Sequence, residues 1–170
     1  MTLAVTIRKA EKSDLTSLAD IAYRAWERSI LPLLTERTGM RIAEQRRLDQ
    51  EVRETASRII VADIEGVPLG WCSRARGRAY VPFLFVAPEV QGQGIGSLLL
   101  RRMESVLELE GAKAVYLETP ADNVRAVRFY QKQGYRILAM RPNGRPGHDP
   151  FSSVRLEKLL HPFVGVVEDE

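Results

Sequence analysis

The sequence predicts a mixed α/β fold of the α+β kind, built from about seven strands and four helices in one domain that spans residues 1–170. Three observations predict it. Strand-length runs of β-branched and apolar residues recur along the chain. Between them, longer stretches repeat apolar residues at helical spacing. The resulting order is strand, two helices, three strands, helix, strand, helix and two strands, in a chain long enough to bury one core.

The first third of the chain predicts one strand and two helices. Apolar residues alternate over residues 3–7, as in a strand with one buried face. Residues 15–30 carry apolar side chains at helical spacing, with Ser13 as the expected N-cap and Pro32 as the point where the helix should stop. A second, more charged helix is predicted over residues 38–57.

The rest of the chain alternates strands with two further helices. Glu65 and Gly66 offer a tight turn between two strands, so a hairpin is expected there. Pro82 removes one ladder donor from the next strand and predicts a bulge or an edge. The strands are predicted at 58–64, 67–73, 80–86, 114–118, 134–140 and 152–159, and the helices at 95–110 and 122–132.

Composition excludes several classes of protein. Cys72 is the single cysteine and the two histidines lack ligand spacing, so neither an internal disulfide nor a metal site is expected. The net charge of +3 comes from intermixed acidic and basic residues and does not imply nucleic acid. The first ten residues do not form a signal-like apolar core and no run reaches the length of a membrane span, so a cytoplasmic protein without a membrane partner is expected.

The stretch Gln91-Gly92-Gln93-Gly94-Ile95-Gly96 joins a predicted strand to a predicted helix. Its glycines leave little side chain in the way of the backbone. Successive N–H groups can therefore turn toward one anion at the positive end of the following helix. The stretch predicts a turn that binds phosphate through the main chain.

Two familiar phosphate-binding patterns fit this turn badly. A P-loop requires a Lys directly after its last Gly, and none follows here. The dinucleotide pattern Gly-x-Gly-x-x-Gly, counted from Gly92, ends on Ser97 instead of Gly. Glu118 lies at the right distance to act as the ribose-binding acid of that pattern, so a nicotinamide-dinucleotide oxidoreductase stays open as an alternative.

The pattern that fits is Gln-x-x-Gly-x-Gly, followed by a second motif, Asn123-x-x-Ala126-x-x-Phe129-Tyr130-x-x-x-Gly134-Tyr135. Together they resemble the GCN5-related N-acetyltransferase (GNAT) family over residues 84–135. The resemblance implies an acyl-CoA N-acyltransferase fold. In that fold a mostly antiparallel sheet has two parallel central strands that splay apart, and the turn holds the pyrophosphate of acetyl-CoA. One departure is that Gln91 and Gln93 stand where the family commonly has basic residues.

The resemblance also implies which residues bind acetyl-CoA. The turn would hold the phosphates, the strand before it would pair with pantetheine through its backbone, and the second motif would contact the CoA chain. The residues implied are Phe85, Val86, Pro88, Gln91, Gly92, Gln93, Gly94, Gly96, Ser97, Asn123 and Tyr130. Basic side chains at Arg101, Arg128 or Lys132 are candidates for the adenosine 3′-phosphate, and Glu89 is expected to be a structural or capping acid.

The implied reaction requires a proton donor and a proton acceptor. The departing CoA thiolate benefits from a donor, and Tyr130 matches the family position that supplies one. The oxyanion is expected to meet a backbone N–H on the strand of residues 84–86, that of Phe85 first. The amine has a pKa of about 10.4 and must lose a proton, for which Glu118 is the first candidate base through a water molecule. Tyr80, His148 and Asp149 are weaker candidates.

The expected activity is transfer of an acetyl group to a primary amine of a small molecule or a peptide. The acceptor is expected on the side formed by the first two helices, the loop of residues 74–80 and the late hairpin. There Tyr23, Trp26 and Glu27 offer an aromatic and acidic recess, although Trp26 also fits the core. A homodimer is compatible with the sequence. The competing class is a CoA-binding sensor or structural module without turnover.

Overall fold

The computed structural model describes residues 4–34, 40–142 and 152–160. Within these ranges the order of helices and strands is the one that the sequence predicts. The elements are β1 (Thr6–Lys9), α1 (Leu15–Ser29), α2 (Met40–Thr55), β2 (Ile59–Ile64), β3 (Val67–Ser73), β4 (Phe83–Val86), α3 (Ile95–Leu109), β5 (Ala114–Pro120), α4 (Val124–Lys132), β6 (Arg136–Arg141) and β7 (Ser153–Leu159).

The strands form two antiparallel sheets that meet at one place. Strands β1-β2-β3-β4 form the first sheet in that order, and β5-β7-β6 form the second. Between β4 and β5 the described residues contain a single parallel bridge, from Tyr80 to Tyr116. Val81 N donates to Tyr116 O at 2.9 Å, and Tyr116 N donates to Ala79 O at 2.9 Å. Beyond this junction the two strands separate, which confirms the predicted pair of parallel, splayed central strands.

Helices cover both faces of the first sheet. Trp71 is fully buried on the face that packs against α1, and its indole N–H donates to Leu18 O at 2.8 Å. The neighbouring residue Cys72 points to the opposite face, where it joins a core with Leu99 of α3 and Leu117 of β5. Because side chains alternate along a strand, these two cores lie on opposite sides of the sheet. The core on the α3 face of the first sheet therefore contains residues of both sheets and joins them.

Local turn chemistry accounts for the hairpin and for one wrong prediction. Glu65 and Gly66 have φ values of 50° and 82°, as the two-residue turn of a hairpin requires. Ser13 does not cap α1. Instead Glu11 and Asp14 form a reciprocal capping box around a short 3₁₀ helix, Lys12–Asp14, that leads into α1. The acidic pair satisfies the backbone N–H groups of Glu11 and Asp14, so the capped end lies two residues before Ser13.

Pro82 interrupts the fourth strand, as its missing N–H predicts. Tyr80 pairs with β5, whereas the ladder with β3 begins only at Phe83. Because Tyr80 O also accepts from Ala75 N at 2.9 Å, just beyond β3, Pro82 interrupts the regular ladder with β3 without ending contact on that side. No helix in the described ranges is both long and apolar enough to cross a membrane.

Candidate active site

The glycine turn leaves its main chain open. Gly92 and Gly94 have φ values of 77° and 86°, and a Cβ added to either would meet no atom within 4 Å. Gly94 directly precedes α3. The first hydrogen bond of the helix is donated by Leu98 N to Gly94 O, at 3.1 Å. The N–H groups of residues 95–97 belong to the first turn of the helix, so they have no partner within it. These amides, at the positive end of a helix of 15 residues, fit a pyrophosphate.

Side chains before the turn hold it in place rather than reach outward. Gln91 Nε2 donates to Val86 O at 3.0 Å, so this side chain points back to β4. Glu89 pairs with Arg24 of α1 at 2.7 Å, which agrees with its predicted structural role. Pro88 O accepts from Arg28 Nη1 at 2.9 Å. The Gln91 side chain therefore supports the strand and does not extend from the turn toward solvent.

The register of β4 decides which backbone groups face the gap between the sheets. Ala87 N donates to Leu69 O at 2.8 Å, and Phe85 lies opposite Trp71. Since hydrogen-bonded pairs alternate along an antiparallel ladder, Phe85 exchanges its bonds with Trp71. Its amide faces β3, which corrects the expectation that it meets the oxyanion. The groups that face the gap belong to Leu84 and Val86.

The side chain of Phe85 also lies away from the gap. It packs with Trp71 and Phe83 in the core under α1, with ring centroids 5.3 and 5.8 Å away respectively. Leu84 and Val86 pack on the opposite side, against the core that includes α3. The backbone groups of Val86 therefore face the gap, whereas the Phe85 side chain belongs to the core under α1.

Helix α4 lies close to the start of α3. Asn123 caps α4 by accepting from Ala126 N at 3.3 Å, and a Cβ on Gly96 would stand 3.4 Å from the ring of Phe129. Gln133 Nε2 donates to Ser97 Oγ at 2.9 Å. The second motif thus packs against the glycine turn. Arg101, Arg128 and Lys132 are exposed on these two helices.

Tyr130 lies between the two aromatic residues of its own motif. Its ring centroid is 5.2 Å from that of Phe129 and 5.8 Å from that of Tyr135, both in edge-on contact. Burial raises the pKa of its hydroxyl, and the neighbouring Cys72 and Tyr80 raise it further. Within the described residues this hydroxyl has no hydrogen-bond partner, so it stays protonated and free to donate.

Glu118 lines a cavity of about 510 Å³ at the junction of the two sheets. Its Oε1 lies 3.4 Å from Arg141 Nε and 3.9 Å from Arg155 Nη1. Tyr80 lines the same cavity, and burial is the main cause that raises the pKa of its hydroxyl. The cavity lies on the side of the sheet opposite α3, because Tyr116 and Glu118 alternate with the core residues of β5.

The predicted recess on α1 forms only in part: Tyr23 lines a cavity of about 390 Å³ between α1 and α2, whereas Trp26 and Glu27 are not part of its lining. Trp26 is buried in the core with only 8% of its surface exposed, which was the other interpretation of this residue. Glu27 accepts from the Tyr23 hydroxyl at 3.1 Å and forms an ion pair with Arg41. Its carboxylate is thus already paired. His148, Asp149 and His161 lie outside the described residues.

Sequence reasoning missed the arginines of the cavity. Arg155 stands directly opposite Glu118 in the β5–β7 ladder, while Arg78 and Arg141 come from a loop and from the end of β6. Alternation along β7 would have placed Arg155 on this face, but nothing local indicates that β7 pairs with β5. In the described residues no cluster of three or more His, Cys, Asp or Glu side chains is placed to hold a metal ion.

Solved structures with the same fold match almost the whole chain. The PaiA N-acetyltransferase from Thermoplasma acidophilum, solved in complex with coenzyme A, matches with a TM-score of 0.77 at 18% identity, over 92% of this chain and 99% of that chain. The ribosomal-protein-S18-alanine N-acetyltransferase from Escherichia coli matches with a TM-score of 0.69 at 19% identity, over 98% of this chain and 100% of its own. The fold is that of the acyl-CoA N-acyltransferases.

Sequence relatives match shorter stretches. N-alpha-acetyltransferase 30 from Schizosaccharomyces pombe is 36% identical over 58 residues, which are 34% of this chain and 39% of that protein. The ribosomal protein bS18-alanine N-acetyltransferase from Escherichia coli K12 is 34% identical over 64 residues, 38% of this chain and 43% of its own length. The chain therefore spans about two-fifths of the length of these curated relatives.

The profile of the Acetyltransferase (GNAT) family matches residues 16–135, which is most of the chain. The chain belongs to the GNAT acetyltransferase family. This confirms the resemblance that the two motifs carry. The family match overturns the alternative of a nicotinamide-dinucleotide oxidoreductase, because the glycine turn follows a strand of an antiparallel sheet and not a strand of the parallel sheet of a dinucleotide-binding domain.

Proposed function

We propose that the protein is an acetyl-CoA-dependent N-acetyltransferase that acts on a primary amine of a small molecule or a peptide. One observation carries the proposal. The β4 edge whose Leu84 and Val86 backbone groups face the gap leads into the open amides of the glycine turn, and the Tyr130 hydroxyl is close enough to Cys72, the β3 partner of Leu84, for Cys72 to affect its pKa. Along one continuous surface, the chain thus offers a phosphate site, then a strand edge for a ligand that has amides of its own, and then a proton donor.

Each part of this surface has a role in the proposed reaction. The amides of residues 93–97 bind the pyrophosphate. The gap-facing groups of Leu84 and Val86 pair with pantetheine. The N–H groups among them, in place of that of Phe85, stabilise the oxyanion that forms when the amine attacks the thioester carbonyl. Val86 O already accepts a hydrogen bond from the Gln91 side chain. At the end of the edge nearest the turn, the N–H of Val86 is therefore the backbone group left to bind a ligand.

Proton transfer completes the proposed reaction. The amine nitrogen forms a bond to the acetyl carbon, the C–S bond breaks, and Tyr130 donates its proton to the departing sulfur. The amine loses its proton to Glu118 through a water molecule, with Tyr80 as the nearest alternative on the same cavity wall. The two arginines that contact Glu118 keep its carboxylate oriented toward the cavity.

Ligand binding and turnover test the proposal separately. Acetyl-CoA at a hundred times its Kd should stabilise the protein by about 2.7 kcal/mol in a thermal-shift measurement, and NAD should not. Release of free thiol in a screen of amines would then show transfer. Stabilisation by acetyl-CoA with no thiol release from any amine would favour the sensor or structural module. No stabilisation would refute the proposed function.

A matched pair of variants tests the turn itself. Gly94 and Gly111 both have positive φ, 86° and 93°, and both have open space where a Cβ would stand. Gly94→Asp places a carboxylate against the pyrophosphate and should weaken acetyl-CoA binding by at least about tenfold, whereas Gly111→Asp, at the far end of α3, should not. Equal affinity in the two variants would remove the turn from the binding site.

A further inference from the structure

The cavity at the junction of the sheets carries an excess of positive charge. Its described lining includes three guanidinium groups, from Arg78, Arg141 and Arg155, and a single carboxylate, Glu118. That carboxylate contacts two of the three arginines. One contact is at 3.4 Å and the other at 3.9 Å, so neither guanidinium is bound in a close two-pronged pair. The cavity therefore retains donors for a second anion.

Aromatic rings hold two of these arginines in place. The guanidinium of Arg155 lies 5.2 Å from the ring centroid of Tyr116, and that of Arg78 lies 5.8 Å from the ring centroid of Tyr80. Stacking on an aromatic face leaves the edge of a guanidinium and its N–H groups available. A planar fork of donors is the arrangement that binds a carboxylate or a similar oxyanion.

The position of the cavity relates it to the proposed reaction. Strand β4 runs from the Tyr80 junction to the glycine turn. A carrier whose pyrophosphate lies at the turn and whose amide-bearing arm follows Leu84 and Val86 would present its thioester toward the junction. Tyr80 and Tyr116 form that junction and also line the cavity. A molecule in the cavity would thus meet the acyl group at the end of the gap.

We infer that this cavity binds the acceptor and that the acceptor is a small primary amine with a carboxylate or another oxyanion. The inference rests on the proposed function and names the substrate class of the same site. The arginines bind the anion, while Glu118 and the Tyr80 hydroxyl face the ammonium end. A volume of about 510 Å³ is within the range of small-molecule pockets and suits a molecule of amino-acid size.

Matched acceptors provide the test. Thiol release is measured with amino acids and with their carboxamides, and with β-alanine against 2-aminoethylphosphonate to compare carboxylate with phosphonate. The acids should be acetylated with kcat/KM at least about tenfold above their carboxamides, since hydrogen bonds to charged groups are worth that much. Amines without an anionic group that react as well as the acids would overturn the inference.

Variants at Arg78 distinguish charge recognition from a structural effect. Arg78→Gln should raise KM for the acids about tenfold with kcat nearly unchanged and leave KM for the carboxamides as it was. Arg78→Lys should recover part of the affinity. Arg102→Gln, which removes an exposed arginine of α3 outside the cavity, is the control. A KM for the acids that does not respond to Arg78→Gln and Arg155→Gln would contradict the inference.

Direct binding separates failure of this inference from failure of the proposed function. Calorimetry with N-acetyl amino acids and their amides measures the cavity without turnover. Tighter binding of the acids, lost in the Arg78→Gln and Arg155→Gln double variant, supports the anion site even where no amine releases thiol. Equal binding of acids and amides overturns it, whereas the thermal response to acetyl-CoA alone decides the proposed function.

Discussion

Removing one oxygen from Tyr130 should slow the reaction while the fold and the binding of acetyl-CoA remain. Phenylalanine keeps the ring that packs edge-on against Phe129 and Tyr135. Among the described residues no group donates to or accepts from the Tyr130 hydroxyl, so its removal leaves no polar atom unsatisfied. We expect Tyr130→Phe to change the free energy of unfolding by less than about 1 kcal/mol, or a few degrees in Tm.

The effect on rate follows from the role of a general acid. Such groups contribute about 10²–10⁴-fold, and a thiolate needs protonation less than most leaving groups, so the lower end applies. We expect kcat to fall about 100-fold, equivalent to about 2.7 kcal/mol in the barrier. Steady-state thiol release gives kcat, and calorimetry with acetyl-CoA should give a Kd within about threefold of wild type.

The matched control is Tyr135→Phe. The Tyr135 hydroxyl donates to Glu104 Oε1 at 3.1 Å in the core, so its loss should cost about 1–3 kcal/mol of stability and leave kcat nearly unchanged. Because the pKa of Tyr130 is raised, its proton is retained as pH rises, and the wild-type rate should show no loss of this acid up to about pH 10. A kcat for Tyr130→Phe within twofold of wild type would refute the general-acid role.

Three further predictions concern stability and ligand access. Gly70→Ala should destabilise the protein by about 2 kcal/mol in urea unfolding, because its Cβ would stand 2.8 Å from the backbone oxygen of Phe85; a variant as stable as wild type would contradict this packing. The pKa of Asp63 is held below its ordinary value of 3.8, first by the hydrogen bond from the Thr6 hydroxyl. The contribution of this carboxylate to the free energy of unfolding is therefore complete above pH 3.8 and is lost as the pH falls through the lowered pKa. Stability should therefore drop below about pH 4, and Asp63→Asn should flatten that drop in acid-unfolding curves. Gly96→Ala should leave Tm unchanged or higher, because Ala favours helix. It should weaken acetyl-CoA binding in calorimetry, since its methyl would stand 3.4 Å from the Phe129 ring and narrow the space between α3 and α4. An unaltered affinity would show that acetyl-CoA does not contact this point of α3.

The sequence predicts the elements well because each depends on neighbouring residues. The hairpin at Glu65 and Gly66 and the turn at Gly92 and Gly94 are local backbone requirements, and the helices follow from periodicity. The direction of the Phe85 amide could not be predicted in this way. It depends on which pairs of the β3–β4 ladder are hydrogen-bonded, and no local pattern contains that information.

The same limit explains which contacts around the proposed acceptor site the sequence did not predict. Glu27 is paired by Arg41, which lies on another helix, and the arginines of the cavity come from three separate segments. Such contacts are decided by tertiary packing. The sequence could therefore predict the side of the molecule on which the proposed acceptor cavity lies, but not the charge of that cavity.

Strand β7 lies between β5 and β6 although it is the last of the three in the chain. Within this sheet β5 and β6 pair only with β7 and not with each other. The edges that they present to β7 therefore stay unpaired until residues 153–159 have left the ribosome. Exposed edges of nascent strands favour association between chains. The first sheet can form during translation, whereas the half of the molecule that contains Glu118 must wait for its final strand. Truncation or stalling before β7 should therefore yield chains that chaperones retain.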